Sequence, residues 1–190
     1  MGICNQVEKE RKQYPQNSKR SFNSSKYSMK DNIYDDYRNS NSGNIKKQKT
    51  SIYENLLKIH NNYRIKYKAP DLKLNDELCL LAQEYADKCA DLQSTDLTPV
   101  LYNNEYLGEN ISEFDGDIST TSTICDEWAS ERKFLEYNYK DQTKHFTQMI
   151  WKNTQSVGFG FSSSSNGKNY FVSLYFPAGN IFDEFDKNIS

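Results

Sequence analysis

The sequence predicts an α+β domain over residues 50–190, preceded by a disordered basic segment over residues 1–49. Three observations lead there. Apolar residues recur at helical spacing from Ile52 to Leu135, then alternate at strand spacing from Val157 to Phe176. Helices followed by a mainly antiparallel sheet describe the α+β class. Charge divides at Lys49: the first 49 residues carry 11 Lys and Arg against 5 Asp and Glu, a net of +6, and the remainder carries a net of −8. Those 49 residues contain no Leu, Ala or Trp, so apolar burial there cannot offset chain entropy. The 141 residues that follow suffice for one substantial core.

Ser51-Ile-Tyr-Glu54 has the form of a capping box and opens the first helix. Its inward stripe runs Ile52, Leu56, Ile59 or His60, Tyr63 and Tyr67, and Ala69-Pro70 ends it. A second helix begins at Asn75 or Asp76 and buries Leu78, Leu81 or Ala82, Tyr85 and Cys89. Cys79 and Cys89, ten apart on that helix, cannot reach each other and read as small core residues. Gly108-Glu-Asn-Ile111 reads as a short strand or turn. A third helix, from about Ser119 to Tyr137, carries the stripe Ile124, Trp128, Glu131, Leu135. Glu131 therefore turns inward, where an unpartnered carboxylate is costly; it lines a cavity or meets a donor. A short helix follows from Thr143 or Lys144 to Asn153. Val157, Phe159 and Phe161 then alternate with small residues, Asn166-Gly167 signals a hairpin, and Tyr170 to Phe176 is the partner strand.

Several function classes are excluded. No run approaches the roughly 18 apolar residues of a membrane-spanning helix, and the N-terminus has no apolar core of a secretory signal peptide. No CxxC or HExxH metal motif and no phosphate loop occurs, and Ser162 to Ser165 read as turn residues. The basic segment lacks any nucleic-acid module, so nucleic acid is not an expected partner. It does carry Gly2, the acceptor position for N-myristoylation, and Cys4, a palmitoyl acceptor, although Gln6 stands where that motif has Ser or Thr. Lys9, Arg11, Lys12, Lys19 and Arg20 follow. One acyl chain needs such a second signal for stable anchoring.

His145-Phe-Thr-Gln-Met-Ile-Trp-Lys-Asn-Thr154 closely resembles the signature of the CAP superfamily: cysteine-rich secretory, antigen-5 and pathogenesis-related proteins. Supporting matches fall in order: His60-Asn-Asn-Tyr-Arg64, Gly108-Glu-Asn110, Asp126-Glu-Trp-Ala-Ser-Glu131 and Tyr175-Phe-Pro-Ala-Gly-Asn180. They span residues 51 to 182. Ser173 stands where secreted members carry Cys, so the chain is most similar to the intracellular, Golgi-associated branch. The resemblance implies a three-layer α-β-α sandwich and a cleft with two His and two Glu, which binds zinc in some members. Carried over, Glu109, Glu131 and His145 form three of that tetrad. The remaining histidine is missing near Thr98, so no cofactor is expected and zinc is not expected to be held stably. His60 is expected to be packed and hydrogen-bonded, and Lys144 departs from the signature.

The expected function is a non-enzymatic, membrane-associated protein at the cytoplasmic face of a Golgi or plasma membrane. Its expected partners are an anionic membrane surface, a lipid or sterol, and a second copy of itself as a homo-oligomer. The alternative is a protease-like hydrolase with His145 as base and Glu131 or Glu109 orienting it.

Overall fold

The computed structural model describes residues 43–117, 120–137 and 140–189. The expectations placed on residues 1–42, including acylation at Gly2 and Cys4, lie outside the described residues. Residues from Asn44 onward form one compact unit.

Helix α1 spans Gly43–Lys66. It starts eight residues before the expected capping box, which therefore sits inside the helix and caps nothing. The reason is local: Lys46, Lys47, Gln48 and Lys49 are good helix formers, and extending an existing helix is easier than nucleating one. The packed part of α1 lies downstream, where Tyr53, Leu56, His60 and Arg64 are buried. Helix α2, Asp76–Leu92, opens as expected on Asn75, whose side chain accepts from Leu78 N–H at 3.1 Å. Its C-cap, Gln93, adopts a left-handed φ of 51°.

Helix α3, Thr121–Ser130, is shorter than the single helix expected to Tyr137, because the chain tightens into a 3₁₀ turn over Glu131–Tyr137. Such turns commonly end helices, and here the side chain of Glu131 is tied to a different helix. After a second 3₁₀ turn at Lys140–Thr143 comes α4, Lys144–Ile150, and α5, Phe185–Asn188, follows near the C-terminus.

The strands are β1 (Lys73–Leu74), β2 (Leu101–Tyr102), β3 (Glu105–Tyr106), β4 (Gly108–Phe114), β5 (Ser156–Ser163) and β6 (Asn169–Phe176). The main sheet has the order β1-β5-β6-β4, with only the β1–β5 pairing parallel, and β2–β3 forms a separate antiparallel ribbon. The β5–β6 hairpin turns as the Asn-Gly pair requires: Gly167 takes φ +85°, a conformation open to glycine at no steric cost.

The sheet is covered on both faces, which gives the three-layer sandwich. On one side α2 packs Leu78, Ala82, Tyr85 and Cys89 against Tyr170, Val172 and Leu174. On the other, α1, α3 and α4 bring Leu56, Ile124, Trp128, Phe146 and Met149 onto Phe159, Phe171 and Tyr175. The small residues of β5 now have a cause. A Cβ added at Gly158 would lie 2.2 Å from the Leu78 carbonyl carbon, and one at Gly160 2.2 Å from Ala82. The backbone of α2 crosses directly over the strand there.

Candidate functional site

Glu131 follows the last residue of α3, and its carboxylate reaches the first turn of α4. Oε2 accepts from the backbone N–H of His145 at 3.0 Å and of Phe146 at 3.1 Å. Oε1 lies 2.6 Å from His145 Nδ1. The residue before α4, Thr143, makes no side-chain cap, and the first N–H groups of a helix have no acceptor within it. Glu131 thus caps α4 from another helix, with its negative charge at the positive end of the helix dipole. This is the donor that its inward position required.

A carboxylate only accepts, so Nδ1 of His145 donates and Nε2 is left with the lone pair of the neutral ring. The ring lies nearly parallel to Trp128, with centroids 5.5 Å apart and planes 14° apart. Trp128 stacks in turn on Phe171 at 5.1 Å and 12°, while its Nε1 donates to Ser112 Oγ at 3.0 Å. The imidazole is therefore held by a hydrogen bond to Glu131 at one edge and an aromatic face beneath. The pair remains partly accessible, His145 at 37% and Glu131 at 21% side-chain exposure.

Glu109 stands elsewhere. In β4 it pairs with Leu174, which faces α2, whereas Asn110 pairs with Ser173 on the opposite face. Asn110 Nδ2 donates to the His145 carbonyl at 3.0 Å and to Tyr175 Oη at 3.2 Å. Glu109 instead accepts from Val100 N–H at 2.9 Å and from Tyr85 Oη at 3.2 Å. Burial raises its carboxyl pKa, against the opposing pull of those two donors. Of the three residues expected in one cleft, Glu131 and His145 meet, and Glu109 lies across the sheet.

Thr98, where the missing histidine would stand, is exposed. Both oxygens of Glu131 and both of Glu109 already accept from N–H or O–H donors, which leaves no converging set. Among the described residues, no group of three or more His, Cys, Asp or Glu side chains gathers to hold a metal ion. The donors in this arrangement do not fit zinc.

His60 and Arg64 are both fully buried. His60 Nδ1 donates to the Leu56 carbonyl at 2.8 Å, which leaves Nε2 to accept from Tyr175 Oη at 2.8 Å. Burial pushes its pKa down to about 4, Arg64 adding to the effect and the Leu56 carbonyl opposing it. Arg64 is a residue that sequence reasoning passed over. Its guanidinium donates to four backbone carbonyls: Pro70 through Nε, Met149 at 3.0 Å and Trp151 at 2.9 Å through Nη1, and Thr154 at 2.8 Å through Nη2. Its signal was the spacing, four residues beyond His60 on the same helix face.

The signature segment 145–154 works mainly by such ties. Phe146, Met149, Ile150 and Trp151 are buried. Thr147 Oγ1 donates to Asn180 Oδ1 at 2.6 Å, Gln148 Oε1 accepts from Gly179 N–H at 2.8 Å, and Thr154 Oγ1 donates to the Pro177 carbonyl at 2.9 Å. The motifs separated in sequence are fastened to one another here. One consequence can be measured by urea unfolding. Glu131→Ala leaves two helix N–H groups uncapped and is expected to cost about 2 kcal/mol. His145→Ala keeps the backbone cap and should cost less; the reverse order would refute the capping role.

Known proteins agree with this architecture. Residues 57–176 match the family model for CAP, the cysteine-rich secretory protein family. Human Golgi-associated plant pathogenesis-related protein 1 is 36% identical over 143 residues, covering 73% of this chain and 92% of the relative. Pathogenesis-related protein 1A of Nicotiana tabacum is 29% identical over 137 residues, covering 69% and 78%. Among solved structures, MpPR-1i has a TM-score of 0.52 at 19% identity, covering 68% of this chain and 90% of its own. Na-ASP-1 has a TM-score of 0.57 at 20% identity, covering 69% and 40%. At these identities the structural likeness concerns the fold. With the family's matched segment spanning the sandwich from α1 to β6, the chain belongs to the CAP family of cysteine-rich secretory proteins.

Proposed function

We propose that the chain is a non-enzymatic binding protein whose CAP domain is held at the cytoplasmic leaflet of a membrane by an acylated, basic N-terminal segment, where it binds a lipid, a sterol or a protein partner. The observation that carries this reading is the division of charge, +6 over residues 1–49 against −8 over the rest, with Gly2 and Cys4 at the head of the basic part. Each basic residue near an anionic leaflet contributes roughly 1 kcal/mol, which supplements an acyl chain too weak to anchor alone. A Golgi-associated relative at 36% identity supports the placement. The site supports a role without catalysis, because Glu131 is engaged as a helix cap and the described cysteines are buried. Burial pushes the thiols of Cys79 and Cys89 up to about 11, away from the reactive thiolate.

The test is fractionation of eukaryotic cells expressing the full chain. Gly2→Ala is expected to move most of the protein from the membrane pellet to the supernatant; unchanged membrane recovery refutes the anchor. A second reading has one observation in its favour: the Nδ1 contact with Glu131 leaves Nε2 of a partly exposed His145 as a base. Hydrolysis by that base should fall by about 10²-fold or more in His145→Ala, and activity that survives the change rules it out.

A further inference from the structure

Four of the six large apolar side chains that stand exposed among the described residues belong to the β2–β3 ribbon and to the segment that follows β6. They are Leu101, Tyr106, Ile181 and Phe182, at 57%, 61%, 45% and 73% exposure. Tyr106 and Ile181 line a groove of about 770 Å³. Leu101 is the cross-strand partner of Tyr106 in the β2–β3 ribbon, and Phe182 follows Ile181 in the chain. The groove reaches Lys152 and Asn153, just past the C-terminal end of α4, whereas His145 lies in the first turn of that helix.

Its lining has two characters. Pro70, Tyr106, Pro177 and Ile181 supply apolar surface; Asp71, Glu105 and Glu184 supply three carboxylates against the single cation of Lys152. A concentration of exposed apolar side chains marks an interaction surface, and the charges select what binds there. An anionic headgroup or a free carboxylate meets a net negative lining on a domain of net charge −8. A neutral acyl chain would desolvate three carboxylates with Lys152 as the one lining cation to offset them. An extended peptide with Lys or Arg at alternate positions answers both features, since successive side chains point to opposite sides. The volume falls within the range of preformed ligand sites.

We propose that this groove is a docking site for a short, extended segment of a partner protein in which basic and apolar residues alternate. The proposal stands apart from the membrane-anchor reading and survives its failure. The probe is a fluorescein-labelled heptapeptide, Lys-Leu-Lys-Val-Lys-Leu-Lys, titrated against the full chain by anisotropy, with the peptide carrying Glu in place of every Lys as its counterpart. Two variants separate the groove from the overall charge. Ala178→Phe fills a lining position without changing charge, and the triple variant Asp71→Asn, Glu105→Gln, Glu184→Gln removes charge at nearly constant volume. Each is expected to weaken binding by about tenfold or more, equivalent to about 1.4 kcal/mol, and the acidic peptide is expected not to bind. The triple variant changes two exposed carboxylates and one half-buried one, and keeps the test valid if Ala178→Phe misfolds. Undiminished affinity in the triple variant, or in a folded Ala178→Phe, overturns the proposal, as does no binding to the wild type. Retention on neutral phosphatidylcholine vesicles that depends on Ala178, without peptide binding, assigns the groove to lipid instead and equally overturns it.

Discussion

Replacing Arg64 with Met is expected to lower the unfolding free energy by about 4 kcal/mol, within the range seen when one member of a buried charged network is removed. Met fills much of the same volume, so packing is largely retained and the loss is polar. The carbonyls of Pro70, Met149, Trp151 and Thr154 all lose their guanidinium donor; Pro70 is exposed and Trp151 keeps the N–H of Thr154, while a buried acceptor left unsatisfied costs about 1–3 kcal/mol. Partial relaxation and water entry keep the total below their sum. Burial lowers the Arg64 pKa to about 10, with Tyr175 and Asp71 opposing it, so the residue stays charged at neutral pH. Arg64→Lys should recover only part of the loss, because an ammonium is a compact point donor and cannot reproduce a planar fork aimed at four carbonyls. Urea unfolding of the full chain decides the matter. If Arg64→Met changes stability by less than about 1 kcal/mol, the guanidinium is not the fastener between α1 and the signature segment.

Acid is expected to destabilise the domain through His60. Its folded pKa of about 4 lies below the ordinary histidine value of 6.5, so between those two values the unfolded chain binds a proton that the folded chain excludes. The contribution of His60 is complete above about pH 6.5 and is lost as pH falls toward 4, by about 3 kcal/mol in all. Glu109 acts in the opposite sense. Its raised folded pKa favours the protonated form in the fold, so acidification relieves its penalty. A comparison with His60→Gln cancels Glu109 and the other carboxylates, which both proteins share. The stability difference between wild type and His60→Gln should shrink by about 3 kcal/mol from pH 7 to pH 4. A difference independent of pH would show that His60 charges without cost inside the fold.

Much of the fold was legible from periodicity. Helix α2 has its N-cap at Asn75 and its stripe at Leu78, Ala82, Tyr85 and Cys89, both local features. The start of α1 was not legible, because the signal at Ser51 was a true capping pattern overridden by helix-forming residues before it. The switch to a 3₁₀ turn at Glu131 was hidden for a different reason: the side-chain partners of Glu131 lie 14 and 15 residues away in the chain. The candidate site divided in the same manner. The inward position of Glu131 followed from steps of four, three and four, but the identity of its donors did not.

The sequence by itself determined the class of fold, the separation of basic and acidic parts, and the inward direction of Glu131, because each rests on local spacing or on composition; it pointed to the family through the motifs that resemble it. Tertiary structure alone decided that Glu109 belongs to the α2 side of the sheet and Glu131 to the α4 side, that Arg64 joins four carbonyls, and that exposed apolar residues from the β2–β3 ribbon and the chain's end share one groove. Alternation along β4 specifies that neighbours face opposite ways, but only the packing of α2 on one face and α4 on the other specifies which way each faces.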